Sequence, residues 1–121
     1  MFPDILVVSY IIPSRTGCAL LPEDLLILFR DCPNVKAVKD ATGDTDKARR
    51  IRKIIKDKNF YIMSGDDKKT FITMIENEVR ANGVISVISN ITPAMVQDVF
   101  GNFKRKSQNS KENKRNFISI V

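Results

Sequence analysis

Two bends in the chain carry side chains able to do chemistry together. The apolar run at residues 5–12, ILVVSYII, holds Tyr10 near its tip and is followed by Pro13, Arg15 and Gly17. A second short run at 35–39, VKAVK, closes on Lys39 and leads into Asp40, Ala41, Thr42 and Gly43. An amine can add to a carbonyl and give an iminium. The iminium is an electron sink, so the neighbouring carbon can lose a proton and attack an aldehyde. The step needs a neutral amine, and free lysine has a pKa of about 10.4, so burial must lower it by several units. A phenol can shuttle the proton. A guanidinium can grip a substrate carboxylate through its two-pronged donor face. The plainer reading of Lys39 is a strand-end lysine whose ammonium reaches water, and the residue alone leaves both readings open.

What the chain lacks narrows the chemistry. It has no histidine, so the commonest general base and the commonest zinc ligand are missing. Catalysis is left to Lys, Tyr, Asp, Glu or Ser, and no metal site is expected. Cys18 and Cys32 are the two cysteines. They have no CxxC spacing and read as reduced thiols of a cytosolic protein.

These residues need elements to hold them. Runs at 5–12, 35–39, 60–64 and 83–87 are short and rich in β-branched or aromatic residues, the length of buried strands. Helical patterns lie between them. Residues 22–31 open with Pro22 and carry Leu25, Leu26, Leu28 and Phe29 on one face. Residues 44–56 place Ala48, Ile51, Ile54 and Ile55 at helical spacing. Residues 66–80 open with two acidic residues, which suit the positive end of a helix. Residues 92–103 open with Thr92 and Pro93, a capping residue before a first-turn proline. Four strands alternating with four helices give an α/β fold of βα units around a parallel sheet.

Length and charge set further bounds. At 121 residues the chain is one domain at most, or part of one. It is 43% hydrophobic and 28% charged, as a globular protein is. No apolar run nears the ~20 residues of a membrane span, and MFPD at the start has no basic region of a signal peptide. The net charge is +6, but it is unevenly placed. Residues 1–103 hold 14 basic and 13 acidic side chains; residues 104–121 hold six basic ones against Glu112. A near-neutral body at 1–103 and a basic tail at 104–121, expected to be disordered, follow from this. The distribution argues against a nucleic-acid partner, although a basic tail can bind acidic surfaces.

Each strand ends in unusual company: Tyr10 to Thr16, Lys39 to Gly43, Ser64 to Asp67, and Ser86 to Asn90. Ligands of α/β folds bind at the carboxyl ends of strands. With a βα unit between each, the series YIIPSRTG, VKDATG, SGDD and GVISV resembles the dihydrodipicolinate synthase family of pyruvate-dependent class I aldolases. The resemblance covers residues 5–100. Arg-Thr-Gly after Tyr-x-x-Pro is its most specific part, separating this family from the related sialic-acid and sugar-acid lyases.

The resemblance implies the rest. Lys39 matches the lysine that forms a Schiff base with pyruvate, and Tyr10 the tyrosine that relays protons. Arg15 matches the arginine that binds the carboxylate of L-aspartate semialdehyde. Ile85 matches the residue whose backbone carbonyl faces pyruvate, and Gly65 lines the same pocket. The family works in lysine biosynthesis in the cytoplasm, uses no metal and no added cofactor, and usually forms a homotetramer.

Departures limit the implied activity. The family is an eight-stranded β/α barrel of about 250 residues, and this sequence matches its second half, so a partial barrel is expected. Nothing here matches the family's Thr-Thr pair, the tyrosine lent across its subunit interface, or most of its lysine feedback site. Ile11 stands where Asn is usual, the stretch between Asp67 and Gly83 is long, and the motif likeness stops after Phe103. A truncated, poorly active or inactive form is expected, paired with copies of itself or with a complementing half barrel. Two alternatives stay open: another pyruvate-dependent aldolase, or a non-catalytic binding or regulatory fragment.

Overall fold

The computed structural model describes residues 4–75 and 78–108. Four parallel strands form one sheet in the order β1 (Val7–Ile11), β2 (Val35–Asp40), β3 (Tyr61–Ser64) and β4 (Gly83–Val84). The helices between and after them are α1 (Pro13–Thr16), α2 (Pro22–Asp31), α3 (Thr45–Ile54), α4 (Asp67–Ile75) and α5 (Pro93–Gln108). The expected α/β layout of consecutive βα units is present, as an open sheet rather than a closed barrel.

Register decides which side chains share a face. Tyr10 pairs with Lys39, Lys39 with Met63, and Met63 with Gly83, forming one row across the sheet. The flanking positions Ile11, Val38 and Ile62 fall on the other face, because successive strand residues alternate sides. That face is the core: Ile11, Val38 and Ile62 are buried with Leu25 of α2, Ile51 of α3, Ile55 and Phe60. Phe29 closes this layer edge-on against Phe60, ring centroids 5.0 Å apart. A smaller cluster joins Val84 to Ala81 and Val96.

Local sequence explains the helix ends. Asp44 caps α3, its carboxylate accepting from the Lys47 amide at 3.1 Å. Asp66 does the same for α4 through the Lys68 amide at 2.9 Å. Such caps satisfy donors that have no partner inside the helix. Pro22 starts α2, and the Leu21 amide donates to the Asp24 carboxylate at 2.9 Å. Arg52 of α3 crosses to the far end of the sheet. Its guanidinium donates to the carbonyls of Val79 and Phe60 and to the Asn82 side chain. Burial draws its pKa below the ordinary guanidinium value.

Some boundaries differ from the sequence reading. The last strand was expected over 83–87 but has only two residues. The hydroxyl of Ser86 accepts from the Ser89 amide, and the Ser89 hydroxyl donates to the Ser86 carbonyl at 2.7 Å. These local bonds curl the backbone into a short 3₁₀ turn at Ile88–Asn90 in place of a longer strand. The third helix-forming stretch, expected over 66–80, is helical over Asp67–Ile75; Glu78 and Val79 lie in a turn, and Arg80 takes a left-handed φ of 44°. The last helix continues through Gln108, past the boundary drawn at 103. The rest of the basic tail, 109–121, lies outside the described residues.

Candidate active site

The first motif is built around a short helix. Pro13 opens α1, and Gly17 closes it with a left-handed φ of 68°, its amide donating to the Pro13 carbonyl at 2.9 Å. Glycine takes that conformation without the Cβ penalty. The Thr16 hydroxyl lies 2.8 Å from the Cys18 carbonyl and 3.1 Å from that of Ile12, donating to one at a time. Thr16 and Gly17 thus shape the turn. Arg15 stands exposed on it, directly after the strand that carries Tyr10.

The second motif splits between two faces. Lys39 points to the open face and Asp40 to the helix side. Asp40 is buried, and its carboxylate accepts from the Thr42 amide at 2.9 Å and the Thr42 hydroxyl at 2.7 Å. The Thr42 hydroxyl in turn accepts from the Asp44 amide at 3.1 Å. Asp40, Thr42 and Asp44 therefore carry the chain from strand to helix cap. Their role is architectural, a distinction that the motif string alone does not make.

Lys39 itself is half-buried. Its Nζ sits over the ring of Tyr10, 4.1 Å from the centroid. An ammonium over an aromatic face is attracted by the ring's negative π surface. Tyr10 is 47% exposed, and Val8 beside it on the same face is 46% exposed. The face that carries the lysine is open to water at its β1 side.

One row beyond Lys39, the ladder continues past the ends of the strands. The Ala41 amide donates to the Ile11 carbonyl at 2.9 Å, the Gly65 amide to Asp40 at 2.8 Å, and the Ile85 amide to Ser64 at 2.9 Å. Ala41, Gly65 and Ile85 each lie two residues after Lys39, Met63 and Gly83. They share the lysine's face and form a second row above it. Four of the five sequence-derived site residues (Tyr10, Lys39, Gly65 and Ile85) thus occupy two adjacent rows on one face. Arg15 lies outside these rows, on α1.

Two contacts lie beyond what the motifs indicated. Asp67 accepts from the Ile88 amide at 3.1 Å, tying the loop after β3 to the loop after β4. Ser64 and Thr70 share a hydroxyl–hydroxyl bond of 2.9 Å beneath the same loop. The paired aspartates of SGDD hinted at a special loop, but not at which one bridges. Among the described residues no group of three or more metal-ligating side chains comes together, and no helix is long and apolar enough to cross a membrane.

Comparison with known proteins agrees with this fold. The model of the dihydrodipicolinate synthetase family matches residues 2–120, well past Phe103, where the short motifs stop. The 4-hydroxy-tetrahydrodipicolinate synthase of Thermosipho africanus is 36% identical over 102 residues, covering 84% of this chain and 34% of that protein. The Buchnera aphidicola subsp. Baizongia pistaciae protein of the same name is 39% identical over 92 residues, covering 76% and 30%. Among solved structures, dihydrodipicolinate synthase from Aquifex aeolicus superposes with a TM-score of 0.75 at 31% identity, over 88% of this chain and 36% of that one. The lysine-bound enzyme from Cyanidioschyzon merolae gives 0.73 at 34%, over 84% and 33%. The chain spans about a third of the length of the curated relatives it matches. Its sheet is accordingly part of a barrel, and the chain belongs to the dihydrodipicolinate synthetase family.

Proposed function

We propose that this chain carries the lysine side of a site that condenses pyruvate with L-aspartate semialdehyde. The observation that supports this best is the Lys39–Tyr10 pair, register partners with Nζ 4.1 Å from the ring centroid. The Lys39 amine adds to the ketone carbon of pyruvate, and loss of water leaves an iminium. The methyl group then gives up a proton, and the resulting enamine carbon attacks the aldehyde. The Lys39 amine is regained when another nitrogen or water takes over the iminium carbon. Tyr10 is the proton carrier, Arg15 the carboxylate clamp for the semialdehyde, and Ile85 and Gly65 line the pyruvate pocket. No added cofactor is called for by this chemistry. Cys18 and Cys32 are free thiols, which fits the reducing cytoplasm.

The open sheet needs company. β1 and β4 end the sheet, and Leu6 (71% exposed) and Val8 stand bare beside the β1 edge. Unpaired edges and exposed apolar faces favour association. A complementing set of βα units, or further copies of the chain, would cover them and dry the lysine.

Borohydride reduction in the presence of pyruvate tests the reading. A mass increase on Lys39 and on no other lysine is expected. Labelling spread evenly over the lysines of a folded sample would remove its basis.

A further inference from the structure

Gly65 is not glycine for the sake of its backbone. Left-handed φ values occur among the described glycines at Gly17 and Gly43, not at Gly65. What Gly65 lacks is room. A Cβ placed there would lie 2.9 Å from Lys39 Cγ, 2.9 Å from Lys39 Cε and 3.0 Å from Ala41 Cβ. Carbon atoms in van der Waals contact sit about 3.5–4.0 Å apart, so all three approaches are overlaps. The backbone cannot retreat easily, because the Gly65 amide is held on the Asp40 carbonyl at 2.8 Å.

The same lysine is held on its other flank. Its stem passes Gly65 at the end of β3, and its Nζ ends over the Tyr10 ring on β1, at 4.1 Å. Lys39 thus crosses from one neighbouring strand to the other, low against the sheet. We infer that Gly65 is a positioning residue: its missing side chain is the slot that lets the Lys39 stem lie down and delivers the amine to the Tyr10 ring. Any side chain at 65 lifts the stem and swings Nζ away. The steric part of this inference stands on its own; its catalytic consequence rests on the function proposed above.

A double-mutant cycle in the full chain separates the two. Gly65→Ala is made in the parent and in a Lys39→Ala background, where Cγ and Cε are gone. The Ala41 contact is present in both backgrounds and cancels. Urea denaturation should show Gly65→Ala lowering the midpoint in the parent and costing much less beside Lys39→Ala, the sign of direct coupling. Equal losses in the two backgrounds would overturn the slot. If Gly65→Ala alone does not fold, folding of the double variant supports the inference, and unfolding of both rejects it.

A second readout follows the amine. The Lys39 Hε protons should show an upfield ring-current shift by NMR that Tyr10→Leu abolishes, and Gly65→Ala should abolish it too. A shift left intact by Gly65→Ala would reject the inference. With pyruvate and borohydride, Gly65→Ala should slow labelling of Lys39 by on the order of 10²-fold, as expected for displacement by about 1 Å. A parent that takes no label while the cycle still shows coupling would sink the proposed function and leave the positioning role standing.

Discussion

Arg52 and Asn82 are joined across the outer layer of the fold by a 2.8 Å hydrogen bond from Nη2 to Oδ1. The same Asn82 oxygen accepts from the Ile62 amide at 2.9 Å, and the Asn82 amide donates to the Ile62 carbonyl at 2.7 Å. One side chain therefore extends the pairing beside β3 and anchors the helix that covers it. Arg52→Met keeps the apolar stem and removes the donors to Val79, Phe60 and Asn82. It should cost roughly 2–3 kcal/mol, the range for losing hydrogen bonds from a charged donor. Chemical denaturation checks this; a loss below about 0.5 kcal/mol, the usual effect of a surface change, would mean that the clamp is idle.

Among the described residues, Phe60 is the largest of the fully buried side chains, and it meets Phe29 edge-on. Phe60→Ala should destabilise the fold by about 3–5 kcal/mol, through lost burial and the cavity left behind. Thermal unfolding followed by circular dichroism would reveal it. A melting curve equal to the parent's would show that the layer between the sheet and the helices is not the core.

Tyr10 has two separable parts, a ring under the amine and a hydroxyl. In a barrel completed with the remaining units from a relative, Tyr10→Phe keeps the ring and loses the proton. Turnover should fall by about 10²–10⁴-fold, the usual worth of positioned proton transfer, with pyruvate trapping at Lys39 nearly unchanged. In the same barrel Arg15→Ala should mainly raise KM for the semialdehyde, because the role proposed for Arg15 is to bind substrate without taking part in bond making. Full activity in both variants would refute the roles given to the first motif.

The 121-residue chain on its own should show little synthase activity. Its lysine face is open to water on the β1 side, and the chain spans only about a third of the length of the relatives it matches. Activity should rise with protein concentration if copies or complementing units close the face. A coupled assay run beside a sizing column measures both. Turnover within about tenfold of a full-length relative, a gap smaller than a missing proton relay usually leaves, would show that this open face suffices.

Periodicity made much of the architecture legible. The stretch 22–31 matches α2 at both ends, because proline, the apolar face and the following turn all agree there. Parity made the sharing of a face by Tyr10 and Lys39 a possibility, but their pairing depends on the register of strands separated by 23 residues between Ile11 and Val35. No local signal fixes that register. The shortness of β4 was hidden because Ile85 and Val87 are good strand residues; the two serine hydroxyls that bend the chain act only once they meet. The roles of Asp40 and Thr42 were hidden for a similar reason, since a motif string does not say which face each residue takes. Gly65 entered only as a residue that the resemblance sets along the pocket, and its crowding by Lys39 is a tertiary fact.

The amides of Ala41, Gly65 and Ile85 are held by carbonyls of the neighbouring strands, not by side chains of the loops that follow. Those three positions are therefore governed by main-chain geometry, which substitution barely alters. Loops beyond them can change length and composition while this row keeps its shape. A rim made this way separates two kinds of heredity: the row at Ala41, Gly65 and Ile85 is copied by the backbone, and the loops that follow it are left free to vary.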